Sequence, residues 1–214
     1  MKSVLIIGMG NFGSQIARRM EELRCEVMAV DINEECVDNI MPYVTNAVIG
    51  DSTDEEFLRS LGIGNFDVCI VALGSLFQSS LETTSLLKEL GAKLVISRAT
   101  SEVQRKFLLR NGADEVVYPE MQMAFRVATK YASDRILDFI QLDNNYSIYE
   151  MKVPNEWHGK TLTQMDIRRK HKVNILTIKR GENVFIPSPD TVLSNGDIAF
   201  AIGEEHDIRK CFRV

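Results

Sequence analysis

Val4-Leu5-Ile6-Ile7-Gly8-Met9-Gly10-Asn11-Phe12-Gly13 is the stretch on which the reading of this 214-residue chain turns. Four apolar residues enter a turn of the form G-x-G-x-x-G, and a helical pattern leaves it. A second apolar run, Val27-Met28-Ala29-Val30, ends at Asp31, 18 residues beyond Gly13. That is close to the spacing of about 20 residues typical of dinucleotide-binding folds. Gly8 permits a tight turn out of the strand. Gly10 lets a pyrophosphate approach the backbone, and Gly13 lets the helix pack closely on the sheet. The helix start offers N–H groups and the positive end of its dipole to phosphates. Asp31 is placed to accept ribose hydroxyls. Its charge would repel a 2′-phosphate, and no arginine follows it to offset the repulsion. NAD(H), ATP or ADP is therefore favoured over NADP(H).

Outward from this motif, strand and helix signals alternate. The runs Val4–Ile7, Val27–Val30, Ala47–Ile49, Val68–Ala72, Leu94–Ser97 and Glu115–Tyr118 suit parallel strands covered on both faces. Helical patterns separate them at Phe12–Leu23, Asp54–Leu61, Leu81–Leu90 and Val103–Leu109. Gly91 and Gly112 stand where helix C-caps favour glycine. The expected class is α/β, a Rossmann-like doubly wound parallel sheet followed by a small α+β C-terminal domain.

The pattern changes after Pro119. Met121–Leu137 reads as a helix that is apolar nearly all round, so it must be covered from more than one side. Its cover is either its own chain or a partner subunit. The polar break Asp143-Asn144-Asn145 divides the chain into residues 1–140, including a crossover helix over 120–137, and residues 145–214. The second part shows short strands at Tyr146–Val153, Asn174–Lys179, Asn183–Ile186 and Asp197–Ile202. Helices are expected at Leu162–Lys170 and Glu204–Phe212.

Composition narrows the function classes. The net charge of −5 argues against nucleic acid as a partner, and Arg168-Arg169-Lys170-His171-Lys172 is the nearest thing to a basic tract. No segment reaches the roughly 18 apolar residues of a membrane span, so no direct membrane insertion is expected. The chain enters a strand at once, which leaves no signal peptide. Four scattered cysteines without a CxxC pair suit a cytoplasmic protein with reduced thiols.

Sheets of this kind bind ligands beyond the C-terminal ends of their strands. The expected lining is Gly8, Gly10, Asn11, Phe12 and Gly13 after the first strand, and Asp31 with Ile32 after the second. Asp51 and Ser52 follow the third. Ala72, Leu73 and Gly74, with Ser75, follow the fourth, and Arg98 ends the fifth. Asp51-Ser52-Thr53 equally suits a turn and helix cap, and Asn33 suits an N-cap. A cation at Arg98 inside such a site is costly without an anion. Catalytic equipment is missing. All three histidines, His158, His171 and His206, lie in the small second domain, and no GxSxG, Tyr-xxx-Lys or zinc spacing is present. A nucleotide site without a catalytic residue reads as a sensor rather than an enzyme. The alternative is a small NAD-dependent oxidoreductase.

The motifs GMGNFG (8–13), VDIN (30–33), AVIGDSTDEEFLRSLGI (47–63), VALGS (71–75) and GADEVVYPE (112–120) together resemble the regulatory subunits of Trk/Ktr-type potassium uptake systems, the RCK or KTN family. The resemblance spans essentially the whole chain. It implies a nucleotide-binding domain lined by Gly8, Gly10, Gly13, Asp31, Asp51 and Arg98. It implies homodimers joined by the helix after Pro119 and assembled into an octameric ring, with a membrane-embedded potassium channel subunit as partner. NAD(H), ATP or ADP would switch the ring's shape. Glu120 falls where such proteins place a carboxylate that helps hold Mg²⁺ or Ca²⁺ beside the nucleotide at the dimer interface. An acidic residue in a helix's first turn also suits the dipole. Leu162, Thr163, Arg168, Asn174 and Pro187 roughly match positions that bind cyclic di-AMP in several relatives. One departure stands out. Many members carry an arginine that reaches the γ-phosphate of the partner's nucleotide where this chain has Asn11. Asparagine brings no such charge, which weakens ATP-over-ADP discrimination and favours NAD(H) or ADP.

Overall fold

Side chains that alternate between two faces build the first of two compact units. The structure is a computed structural model that describes residues 1–74, 76–143 and 145–214. The units are Met1–Met121 and Gln122–Val214. The first contains β1 (Ser3–Ile7), α1 (Asn11–Glu22), β2 (Glu26–Asp31), α2 (Glu34–Ile40), β3 (Asn46–Ile49), α3 (Glu55–Ser60), β4 (Val68–Val71), α4 (Phe77–Glu89), β5 (Val95–Arg98), α5 (Glu102–Arg110) and β6 (Glu115–Val117). All six strands are parallel, in the order β3-β2-β1-β4-β5-β6. The order reverses between β1 and β4, and that reversal opens the crevice where such sheets bind ligands.

The period of two explains the packing. Val4 and Ile6 of β1 pack with Val68 and Ile70 of β4 and with Ala17 of α1. Leu5 and Ile7 point the other way, into a core with Cys69, Val71, Leu58 of α3 and Leu87 of α4. Both faces are therefore covered, which is why the strands read as continuous apolar runs. Asn33 caps α2 by accepting from the Glu35 N–H at 2.9 Å, as its type and position suggest.

The helix α6 (Pro119–Tyr131) starts in the first unit and runs into the second. The second unit continues with β7 (Ile136–Gln141), β8 (Tyr146–Lys152), a 3₁₀ turn at Asn155–Trp157, α7 (Leu162–Met165), α8 (Ile167–His171), β9 (Asn174–Arg180), β10 (Asn183–Phe185), β11 (Ile198–Glu204) and α9 (Glu205–Phe212). Its antiparallel sheet has the order β10-β9-β11-β8-β7. One face carries the core, where Tyr149, Met151, Ile178, Ala199 and Ala201 meet Ile167 of α8 and Ile208 and Phe212 of α9.

Three sequence expectations change here. The helix expected over 120–137 stops at Tyr131, and Ile136 already belongs to β7. The Ile136 N–H donates to the Ser133 carbonyl in a turn, and Ile136 and Phe139 then bury on the strand's core side. The polar break at Asp143-Asn144-Asn145 is not where the units divide. It lies between β7 and β8, where Asp143 Oδ1 accepts from the N–H groups of Asn145 and Tyr146 at 2.8 Å. Asn144 is outside the described residues. The single helix expected over Leu162–Lys170 is two short ones, because Asp166 adopts a left-handed backbone (φ 50°) between them.

Candidate nucleotide-binding site

The glycine turn between β1 and α1 is built by close backbone approach. Gly8 sits at φ 93°, and a side chain there would press its Cβ to 2.9 Å from Leu73 and 3.2 Å from the Ala72 carbonyl carbon. A Cβ on Gly13 would lie 1.8 Å from the Gly8 carbonyl oxygen. Gly13 is thus what lets α1 start directly beneath the turn. Gly10 is different, with nothing within 4 Å of its missing Cβ. It is the N-cap of α1, it provides no capping side chain, and the first turn holds no acidic residue. The N–H groups at this helix start therefore face an open position beside a bare backbone, the arrangement that receives phosphate.

Asp31, at the end of β2, is tied to the same turn. One carboxylate oxygen accepts from the Met9 N–H at 2.6 Å and the other from the Asn33 N–H at 2.8 Å. Each oxygen keeps a lone pair for a hydroxyl donor. The neighbouring Ile32 is 65% exposed, an apolar side chain on the rim of the crevice.

Arg98, the last residue of β5, is the hub of the opposite wall. Its guanidinium lies against Gly74, where a Cβ would come within 2.8 Å of Cζ. Its Cζ stands 5.2 Å from the centroid of the Phe12 ring, in cation–π range. One Nη donates to Glu120 in the first turn of α6. Its Nε is buried without a partner among the described residues. The side chain is only 21% exposed, so β1–α1, β4–α4, β5 and α6 all supply its surroundings. Ala72 and Leu73 form the floor under Gly8. Ser75 lies outside the described residues.

The residues after β3 are occupied differently from one another. Asp51 is exposed, and its Oδ1 accepts from the Thr53 N–H and hydroxyl at 2.9 and 2.7 Å. Those bonds, the Thr53 hydroxyl first, hold its carboxyl below the usual range. The Ser52 hydroxyl does not face the crevice as a free group, because it is buried and bonded to Thr83 of α4 at 2.8 Å. Asn11 is exposed at the first position of α1.

The Glu120 carboxylate pairs with Arg98, and among the described residues of one chain no three His, Cys, Asp or Glu side chains come together. The positions matched to cyclic di-AMP binding are only partly joined. Thr163 donates through its N–H and hydroxyl to the Pro189 carbonyl, at 2.9 and 2.8 Å, which fixes α7 to the loop holding Pro187. Leu162 packs on the core of the second unit. Arg168 is exposed on α8 and Asn174 is exposed at the start of β9. The contacts of Arg98 with Gly74 and Glu120 escape sequence reading, since nothing in the spacing of 74, 98 and 120 announces them.

An open α1 start, the Asp31 carboxylate and a half-caged arginine thus border one crevice of a nucleotide-binding fold. The TrkA-N domain family matches residues 4–119 and the TrkA-C domain family residues 148–214. The chain is 40% identical to the Ktr system potassium uptake protein C of Bacillus subtilis, over 98% of this chain and 95% of that one. It is 36% identical to the Ktr system potassium uptake protein A of the same organism, with the same coverage. The solved GsuK channel bound to NAD has the same fold, with a TM-score of 0.65 at 20% identity. The match covers 98% of this chain but only 38% of that one. The chain belongs to the TrkA/Ktr family of potassium uptake proteins.

Proposed function

We propose that this chain is the nucleotide-sensing subunit of a potassium uptake system. It acts at the cytoplasmic face of the membrane on an embedded channel subunit of the Trk/Ktr type. It is not an enzyme. The observation that carries the reading is Arg98, an arginine at the lip of the crevice whose Nε is buried and unpartnered among the described residues and whose guanidinium pairs with Glu120. Family membership and the GsuK channel bound to NAD support the ligand class.

The chain's own groups divide the work. The N–H groups at the start of α1 receive phosphate and Asp31 holds the ribose. Phosphate charge near Phe12 competes with Glu120 for Arg98. Glu120 sits in the first turn of the helix that runs from one unit into the other. Exchanging its partner changes the charge at that helix start, and a ligand shifts a conformational equilibrium only through such a differential contact. Homodimers that join through α6 and build an octameric ring would carry the change to the channel.

Calorimetric titration of the purified protein with NADH, ATP and ADP tests this. At least one should bind, Gly10→Val should abolish that binding, and no NADH turnover with simple carbonyls should be measurable. Failure of all three nucleotides to bind would remove the proposal.

A further inference from the structure

The second unit holds a cleft of about 590 Å³ whose lining includes none of the positions matched to cyclic di-AMP. Its walls come from the 3₁₀ turn, the α7–α8 pair and the end of α9. Six side chains set its chemistry: Glu156, Trp157, Lys160, Lys170, His171 and Arg213. Three full positive charges and an imidazole face one carboxylate, on a chain whose net charge is −5. The volume falls in the range of small-molecule sites, about 300–1,000 Å³.

The charges line the same cleft. Arg213 donates to Glu156 at 2.8 Å, and the Lys170 ammonium donates to the Met165 carbonyl at 3.2 Å. The Glu156 carboxyl is held below its usual range by its own backbone N–H and then by Arg213, Arg135 and Lys160, so Arg135 adds a further cation nearby. One carboxylate does not neutralise this set. The His171 Nδ1 is buried and makes no hydrogen bond, a polar group left unpaired where most buried ones are satisfied. Trp157 supplies a flat apolar wall, braced by Phe212 at a centroid distance of 4.8 Å.

The backbone points the same way. Asp166 (φ 50°) and Lys172 (φ 55°) bracket α8, which carries Lys170 and His171, and Arg213 itself is left-handed at φ 55°. Among the described residues only one other non-glycine, Arg24, has a positive φ. Strained residues of this kind persist where the surroundings hold them, and they gather at binding sites.

We propose that this cleft binds a small, soluble phosphorylated molecule. Its phosphate is held by Lys160, Lys170 and Arg213, and its body lies against Trp157. The site is independent of the crevice in the first unit and would give the second unit its own ligand.

Trp157 is the chain's single tryptophan, so its emission reports on this cleft. The full chain is titrated with inorganic pyrophosphate at constant ionic strength, and separately with phosphatidylglycerol vesicles. The expected result is a saturable emission change with pyrophosphate, kept in Gly10→Val, together with a shift of the His171 ring resonance. Lys160→Gln/Lys170→Gln, two exposed positions, should weaken it by roughly a hundredfold, the loss of two charge-assisted bonds at about tenfold each, with an unchanged thermal midpoint. No saturable change, an equal response in the double variant, or a response to vesicles alone would each overturn the proposal.

Discussion

Arg98 gathers contacts from three separate segments of the first unit around one guanidinium. Gly74 offers bare backbone to the guanidinium, Phe12 offers a ring face, and Glu120 offers a single charge. Arg98→Ala should weaken nucleotide binding by about 1.5–3 kcal/mol, the range for a hydrogen bond to a charged group. Calorimetry on the variant checks it, and unchanged affinity would take Arg98 out of the site. Asp31 carries a double role, since its oxygens also hold the Met9 and Asn33 N–H groups. Asp31→Ala should therefore cost both affinity and stability. Gly13→Ala should be worse than either, because its Cβ would meet the Gly8 carbonyl oxygen at 1.8 Å with the Ala72 side chain at 3.1 Å beside it. Loss of soluble protein or of all nucleotide binding is the expected outcome.

At the level of elements, the hairpin-rich sheet of the second unit is pinned by Arg180 and Asp197. The buried Asp197 carboxylate accepts two bonds from Arg180 at 2.8 Å and one from the Ser194 N–H at 2.8 Å, joining β9 to the loop before β11. Burial alone would raise its carboxyl, yet Arg180 and Ser194 outweigh burial and hold it below its ordinary value. A depressed carboxylate contributes stability that is full above the unfolded value, near pH 4. That contribution is lost as pH falls through the folded value. Urea unfolding followed by Trp157 emission should show the second unit weakening as pH drops below about 4, and Asp197→Asn should flatten that dependence. Arg180→Ala should destabilise the unit by about 3 kcal/mol, the cost of leaving a buried charge unpaired.

At the level of the whole molecule, α6 stands out for the apolar side chains it exposes. Met123 is 57% exposed, Phe125 48%, Val127 48% and Tyr131 77%, so the helix's apolar side chains are left uncovered in a single chain. Thr129 is its one buried residue among those described. Apolar surface this contiguous marks an interaction site. The protein should be an oligomer at micromolar concentration. Met123→Asp with Val127→Asp should yield smaller species by light scattering, while Phe125 stays in place because it packs edge-on against Phe139 at 5.6 Å. A monomeric wild-type protein would contradict this.

The sequence by itself determined whatever follows from local repetition and from backbone sterics. Six apolar runs at parallel-strand spacing, the turn at Gly8, the close packing at Gly13, the position of Asp31 and the cap at Asn33 could all be read directly. Each depends on a period, a φ angle or a fixed offset along the chain. Only the tertiary structure decided what depends on meetings across it. Ser52 turns to Thr83, Arg98 finds Gly74 and Glu120, and Asp166 breaks a helix that propensity alone would continue. The strand at Ile136–Gln141 belongs to the same group. Its alternation is short, and it became a strand only because β8 was there to pair with it. The cleft around Trp157 is the extreme case. Its cations come from residues 160, 170 and 213, and their convergence is a property of the packed unit rather than of any segment.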